Sequence, residues 1–217
     1  MLLVKPSHEI LTKINREEVL KHIELCGRTC YKSEDKITEN SSSKFVSGIF
    51  KSGHYSVLEH FNISVRFICD RGVTHELVRH RLASYSQEST RYVNYNKKGM
   101  TFIIPPWVNI SPGEYKFYSD VSENLEYNDS EWIHYCLYCE KRYNDLIEHG
   151  WKPQEARSIL PNSLKTEIVT TTNLREWYHI LNLRTSKAAH PQIREIMFPL
   201  LTELNLLLPE IYESLIV

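Results

Sequence analysis

The chain has 217 residues, 41% of them hydrophobic and 24% charged, with a formal net charge of −1. That length suits one domain, residues 1–217, with a core that needs no disulfide staples, and near-neutral charge argues against a general nucleic-acid binder, whose footprint is strongly basic. Only seven glycines occur, without G-x-G-x-x-G or G-x-x-x-x-G-K-[ST], so a Rossmann or P-loop cradle is not expected. Five cysteines without regular spacing, no long apolar run at the N-terminus and no stretch of about eighteen apolar residues point to a reduced, cytoplasmic chain that spans no membrane.

In chain order, residues 2–14 read as an edge strand and a connection. Asn15 caps a helix, with Glu18 in capping-box position and Val19 and Ile23 following at i,i+4 spacing. Asn40-Ser41-Ser42-Ser43 marks a second start, Phe45, Ile49 and Phe50 give that helix an apolar face, and Gly53 ends it. Residues 54–60 form a connector or a last turn. Residues 61–69 alternate almost perfectly, which predicts a strand whose odd positions face a core. The period then changes, and Val73, Leu77, Val78 and Leu82 predict a short helix ending near residues 79–81.

A polar loop follows, then strands over residues 91–95 and 101–104 with a turn between them at Asn96-Lys97-Lys98-Gly99. Residues 113–125 read as helical. A longer helix starts at Asp129 or Ser130 and runs to about His149, with Trp132, Cys136, Cys139, Tyr143 and Leu146 on one stripe and Gly150 after it. Pro153 suits the first turn of another helix, carrying Ala156, Arg157, Ile159 and Leu160. Residues 164–172, rich in β-branched side chains, predict a strand. Asn173 with Glu176 opens a helix through Leu183, and Pro191 opens a last helix with Ile193, Met197, Leu200, Leu204 and Leu208 on one stripe. The expected fold is one α/β domain of α+β type.

Residues 79–92 concentrate polar chemistry: three arginines, one histidine, three serines and one glutamine fall in fourteen positions, and residues 86–90 carry no apolar side chain. Between Arg66 and Lys98 seven Lys/Arg stand against three Asp/Glu, a local excess of +4 in a chain of net −1. Arginine presents a planar fork of donors suited to phosphate, and hydroxyls and loop amides complete an anion cradle. A solvated, salt-bridged loop is the plainer alternative. Tyr92 and Tyr95 beside the basic loop also suit a non-enzymatic protein that stacks single-stranded nucleic acid.

Three further features bear on chemistry. Arg184 lies seven residues after Trp177, on the apolar face with Ile180 and Leu181, and reads either as a last-turn arginine complementing the helix dipole or as a functional cation. His54, Glu59 and His60 fit neither H-E-x-x-H nor H-x-x-E-H, so no metal is expected there. His134-x-Cys136-x-x-Cys139 sits within a helical stripe without a second ligand pair, and core packing is the better reading.

Arg79-His80-Arg81, then seven intervening residues, then Ser89, with Gly53-His54-x-Ser56-x-x-Glu59-His60 upstream and Asn182-Leu183-Arg184 downstream, resembles the signature of the flavin-dependent thymidylate synthases. The resemblance runs from about His54 to Arg194. It implies a thymidylate synthase-complementing fold with a mainly antiparallel central sheet flanked by helices. The implied activity is reductive methylation of dUMP to dTMP. Methylenetetrahydrofolate supplies the carbon, NADPH-reduced FAD supplies the hydride, and no cysteine nucleophile takes part.

Residue roles carried over by the resemblance are as follows. Glu76, Leu77, Val78, Arg79, Gln87, Glu88, Ser89, Thr90, Arg91, Arg157 and Arg184 would bind dUMP, with Arg91 and Arg157 as phosphate partners. Ser56, Arg79, His80, Arg81, Gln87, Asn173, Leu174, Arg175 and His179 would hold FAD. Arg184 would stabilise the uracil anion, and His54 would lie near the reacting centre. Gln87 stands where some members carry glutamate, which changes the local charge. The family's homotetramer with shared sites is the implied assembly, and neither nucleic acid nor membrane is implied as a partner. A flavoprotein with the same scaffold and an altered substrate is a further alternative.

Overall fold

The computed structural model describes residues 1–121 and 125–216. The elements are β1 (Leu2–Val4), β2 (Ser7–Ile10), α1 (Arg16–Tyr31), α2 (Ser42–Lys51), β3 (Asn62–Asp70), α3 (Arg71–Leu77), β4 (Ser84–Gln87) and α4 (Tyr95–Lys98). They continue with β5 (Thr101–Ile103), β6 (Gly113–Glu114), α5 (Tyr127–Glu148), α6 (Pro153–Ala156), β7 (Lys165–Asn173), α7 (Leu174–Arg184), α8 (Pro191–Leu207) and α9 (Pro209–Tyr212). A 3-10 segment, Tyr55–His60, leads into β3. Among the described residues no helix is long and apolar enough to cross a membrane.

Local chemistry explains the boundaries. The Asn15 side chain accepts the Glu17 and Glu18 amides and donates to the Glu18 carboxylate, closing the start of α1. Beyond α2, Gly53 takes φ 74, a left-handed turn that costs a glycine little. In β3 the odd residues Ile63, Val65, Phe67 and Cys69 are all 0% exposed, as the alternation predicts.

Two nine-residue strands hand over to helices in the same way. Asp70, the last residue of β3, accepts the Val73 amide and caps α3, and Asn173, the last residue of β7, accepts the Glu176 amide and caps α7. Gly72 leaves space for the first cap, since a Cβ there would stand 2.9 Å from Asp70 Oδ1.

A four-stranded sheet has the order β2-β3-β7-β4, and a three-stranded sheet the order β5-β1-β6. In the first, Ser64 meets Thr171 and the Leu174 amide reaches the Phe61 carbonyl, so β3 and β7 run antiparallel. The Leu11 amide on the Ser64 carbonyl, with Arg66 paired to Glu9, sets β2 antiparallel to β3. In the second sheet β1 is parallel to β5 and antiparallel to β6. The architecture is a mixed α and β one with a mainly antiparallel sheet, the class expected from the sequence.

The chain forms two compact units: Met1–Ser7, Phe67–Arg79 and Ser86–Ile168 make the first, and His8–Arg66, His80–Tyr85 and Val169–Val217 the second. The first has a core of Leu3, Phe102, Ile104, Cys136, Cys139, Tyr143 and Leu164, joined by Trp132 and Leu146, so the predicted stripe of α5 is a core face. In the second, α1 packs on α2, α2 on α9, and α7 on both α8 and the Tyr55–His60 segment.

Four sequence expectations are corrected. Residues 2–14 hold two strands rather than one edge strand and a connection, β1 lying between β5 and β6 and β2 at an edge of the other sheet. Residues 91–95 form no strand: the Tyr92 and Val93 amides both bond the Ser89 carbonyl, and the Arg91 amide the Ser89 hydroxyl, which curls the chain into a turn before Asn94 caps α4. The strand lies earlier, within the polar run, at β4. The helix α3 stops at Leu77 and Leu82 is 73% exposed, because the Leu82 carbonyl is taken by the Thr172 hydroxyl as the chain enters β4. Residues 113–125 are not one helix: Gly113–Glu114 pairs with β1, and the Asp120 carboxylate captures the Lys116 and Phe117 amides in a 3-10 turn. Residues 122–124 of that expectation lie outside the described residues.

Because each cap satisfies a helix-terminal amide at a strand end, Asp70→Ala and Asn173→Ala should each destabilise the fold by about 1 kcal/mol. Urea titrations should show lower midpoints with unchanged m-values.

Candidate functional site

The candidate residues divide between the two units. In the first unit, Glu76, Leu77, Val78 and Arg79 lie at the end of α3 and just beyond it, and residues 87–91 at the end of β4 and in the turn that follows. Leu77 is fully buried and Val78 is the helix C-cap, so only their backbone is suited to polar recognition. The Gln87 side-chain amide donates to Thr74 at 3.1 Å and Thr166 at 3.3 Å. The Glu88 carboxylate accepts the Tyr95 hydroxyl at 2.9 Å and the Lys165 ammonium at 3.0 Å, while its amide bonds the Glu167 carbonyl. Thr90 is buried and accepts from Arg157 Nη1 at 3.4 Å.

Arg79, Arg91 and Arg157 are all exposed, and the Arg91 guanidinium stands 5.4 Å from the centre of the Tyr92 ring. Tyr95, the second stacking ring of the nucleic-acid alternative, is 6% exposed with its hydroxyl on Glu88, so it offers no face to a base.

In the second unit, His54, Ser56 and Arg175 line a pocket of about 420 Å³ together with Cys30, Tyr31 and Tyr55. Arg175 pairs with Glu59 at 2.6 Å, and Phe50, Tyr55 and Tyr178 form an aromatic cluster with ring centres 5.0–6.1 Å apart. Arg81 is exposed. Asn173 spends its side-chain oxygen on the cap, and Leu174 is fully buried.

The rest of this unit's set gathers on α7. Arg184, its last residue, donates from Nε to His80 Nε2 at 3.0 Å. His80 Nδ1 faces Glu176 Oε1 at 3.6 Å, and the His179 ring meets the His80 ring edge to face at 5.7 Å. The Tyr85 hydroxyl donates to the His80 carbonyl at 2.7 Å, and burial pushes that phenol up to about 12. Burial, the Arg184 cation and His179 hold the His80 imidazole down to about 4, so the ring is neutral at physiological pH and its contact with Glu176 is not an ion pair. Burial raises the Glu176 carboxyl above its ordinary value.

His80, Glu176 and His179 each bring a ligand atom within 4.8 Å of the others. A cation is opposed there, because Arg184 already presents a positive charge to His80 Nε2 and the ring hydrogen must then lie on Nδ1. Cys136 and Cys139 are buried, and burial pushes their thiols up to about 12 and about 11, which suits core packing.

Sequence reasoning missed Glu176, Lys165 and Tyr85. Glu176 was legible only as the third residue of a capping pattern, and nothing local shows that its carboxylate meets a histidine 96 positions away.

The chain matches the family model described as thymidylate synthase complementing protein over residues 12–210, and it belongs to that family. It is 38% identical over 174 residues to a flavin-dependent thymidylate synthase of Pyrococcus horikoshii, an alignment covering 78% of this chain and 65% of the relative. With the enzyme of the same description from Geobacter sulfurreducens it shares 30% over 200 residues, covering 88% and 80%.

Among solved structures, thymidylate synthase X from Helicobacter pylori with FAD and dUMP superposes with TM-score 0.71 at 20% identity over 91% of this chain and 92% of that one. The UMP/dUMP methylase PolB of Streptomyces cacaoi bound with 5-Br dUMP gives 0.74 at 23% identity, over 99% and 96%. These two share the fold.

The depressed His80 value has a pH consequence. The unfolded imidazole, near 6.5, takes up its proton first, so the His80 contribution to stability is intact above pH 6.5 and is lost as pH falls toward about 4. The raised Glu176 carboxyl acts with the opposite sign, its contribution lost as pH rises through the raised value. Comparing wild type with His80→Gln isolates the imidazole: urea midpoints should fall more steeply for wild type between pH 6.5 and 4, and equal slopes would contradict the assignment.

Proposed function

We propose that this chain acts over residues 1–217 as one flavin-dependent thymidylate synthase domain. It methylates dUMP reductively to dTMP, with methylenetetrahydrofolate as carbon donor and NADPH as reductant. The observation that carries the reading is Arg184, a cation on the apolar face of α7 held at 3.0 Å by a neutral histidine of the Arg-His-Arg triplet. Family membership supports it, with curated relatives described as flavin-dependent thymidylate synthases.

The chain's own residues then take these roles. Arg79, Arg91 and Arg157, exposed and basic, hold the nucleotide, with Arg91 and Arg157 on its phosphate. Gln87, Glu88, Ser89 and Thr90, set by bonds to Thr74, Thr166, Lys165, Tyr95 and Arg157, shape the wall of the dUMP site, with Glu76 and the backbone of residues 77–79 beside them. Arg184 faces the uracil edge, where a fixed cation stabilises the anion that develops during methylation. His54, exposed on the pocket wall, lies near the reacting centre.

Ser56, Arg79, His80, Arg81, Gln87, Asn173, Leu174, Arg175 and His179 hold the flavin, through backbone where their side chains are buried or engaged. FAD supplies the hydride in this chemistry. The residues present fit part of such a group: exposed Arg81 and Arg175 suit a pyrophosphate, and the 420 Å³ pocket has an aromatic wall. That volume is near the lower end of the roughly 300–1,000 Å³ typical of ligand pockets, so this pocket by itself encloses only part of a dinucleotide. A homotetramer with sites shared between copies supplies the remainder. The enzyme works in the cytoplasm, without nucleic acid or membrane as partner.

The test is dTMP formation from dUMP with FAD, NADPH and methylenetetrahydrofolate, UMP serving as the comparison substrate. Wild type should turn over dUMP, and Arg184→Ala should lose about a hundredfold or more in kcat, the usual scale for one preorganised donor at a developing anion. Turnover unaffected by Arg184→Ala would overturn the assignment.

A further inference from the structure

We infer that Glu176 is a positioning residue that holds His80, and through it Arg184, in the orientation that binds the pyrimidine. The role of Arg184 rests on the function proposed above, whereas the arrangement of the three side chains stands on geometry alone.

Arginine nitrogens only donate, so the 3.0 Å contact from Arg184 Nε requires a lone pair on His80 Nε2. A neutral imidazole with its lone pair there carries its hydrogen on Nδ1. That hydrogen points into the side of the ring where Glu176 Oε1 stands at 3.6 Å, beyond hydrogen-bond length but close for a charge facing an N–H dipole. The two side chains are 5% and 11% exposed, so water screens the interaction poorly.

Glu176 and Arg184 lie eight residues apart on α7, about 12 Å along the axis. The His80 ring therefore ties the first turn of the helix to its last. Glu176 is placed by its backbone amide on Asn173, at 2.9 Å. His80 is placed by the Tyr85 hydroxyl on its carbonyl and by His179 edge to face on its ring. Arg184 draws the lone pair to Nε2 from one side, and Glu176 supports the hydrogen on Nδ1 from the other. Without the carboxylate, a buried N–H loses its electrostatic partner. The ring can relieve this by moving the hydrogen to Nε2, where it collides with the Arg184 N–H, or by rotating away from Arg184. Either change releases the guanidinium.

Two measurements on the full chain test this. In dUMP titrations Glu176→Ala should weaken binding about tenfold, the scale of one buried polar contact, while Glu176→Gln, which keeps an acceptor oxygen, should lose less. The same Glu176→Ala change made in an Arg184→Ala background should change the dUMP affinity by less than about twofold. A loss of equal factor in both backgrounds would mean a merely structural role and would overturn the proposal.

Nitrogen-15 NMR of the His80 imidazole, without nucleotide, should show the Nδ1–H form in wild type and in Glu176→Gln, and its partial loss in Glu176→Ala. An Nε2–H ring in wild type would overturn the proposal. The NMR result does not depend on activity. A chain that binds no dUMP but shows the Nδ1–H ring lost in Glu176→Ala sinks the synthase reading and leaves the positioning role standing.

Discussion

The arrangement depends on how each of two long buried strands releases its chain. A strand that ends in the interior leaves the first amides of the following helix without partners, and such groups are costly unless satisfied locally. Here the strand's own last side chain does it: Asp70 for α3 and Asn173 for α7. Each helix therefore starts at a fixed residue, with its phase already set. On α3 that phase puts Glu76 and Arg79 at the exit, and on α7 it puts Glu176, His179 and Arg184 in register with His80.

The chemistry of the α7 group follows from charge and burial. A half-buried arginine needs an acceptor, and a neutral imidazole can provide one without the desolvation of a second ion. The cation and the burial keep that imidazole neutral, and neutrality in turn keeps its lone pair available to the cation. The nearby carboxylate fixes the other end of the ring. Arg184 is thus tied to the middle residue of the Arg-His-Arg triplet, which gives the triplet a structural meaning beyond its charge.

Sequence patterns revealed the parts governed by local rules. The alternation of residues 61–69, the caps at Asn15 and Asn173, the stripe of α5 and the glycine after α2 all appear where period and capping place them. Three of the four failures share one cause, capture of backbone groups by nearby polar side chains or distant partners. Ser89 turned an apparent strand into a turn, Asp120 did the same to an apparent helix, and Thr172 took the Leu82 carbonyl from across the sequence. Exposed candidates such as Arg79, Arg91 and His54 were legible from motif spacing. Glu176 was not, because its partner is distant in sequence and its local pattern has a sufficient explanation as a cap.

The most direct test of the account is the visible absorption spectrum of the purified, native chain with FAD added, followed by NADPH and dUMP. The account predicts bound-flavin bands that bleach when NADPH is supplied. A protein that stays colourless and leaves the spectrum of added FAD unchanged would contradict it.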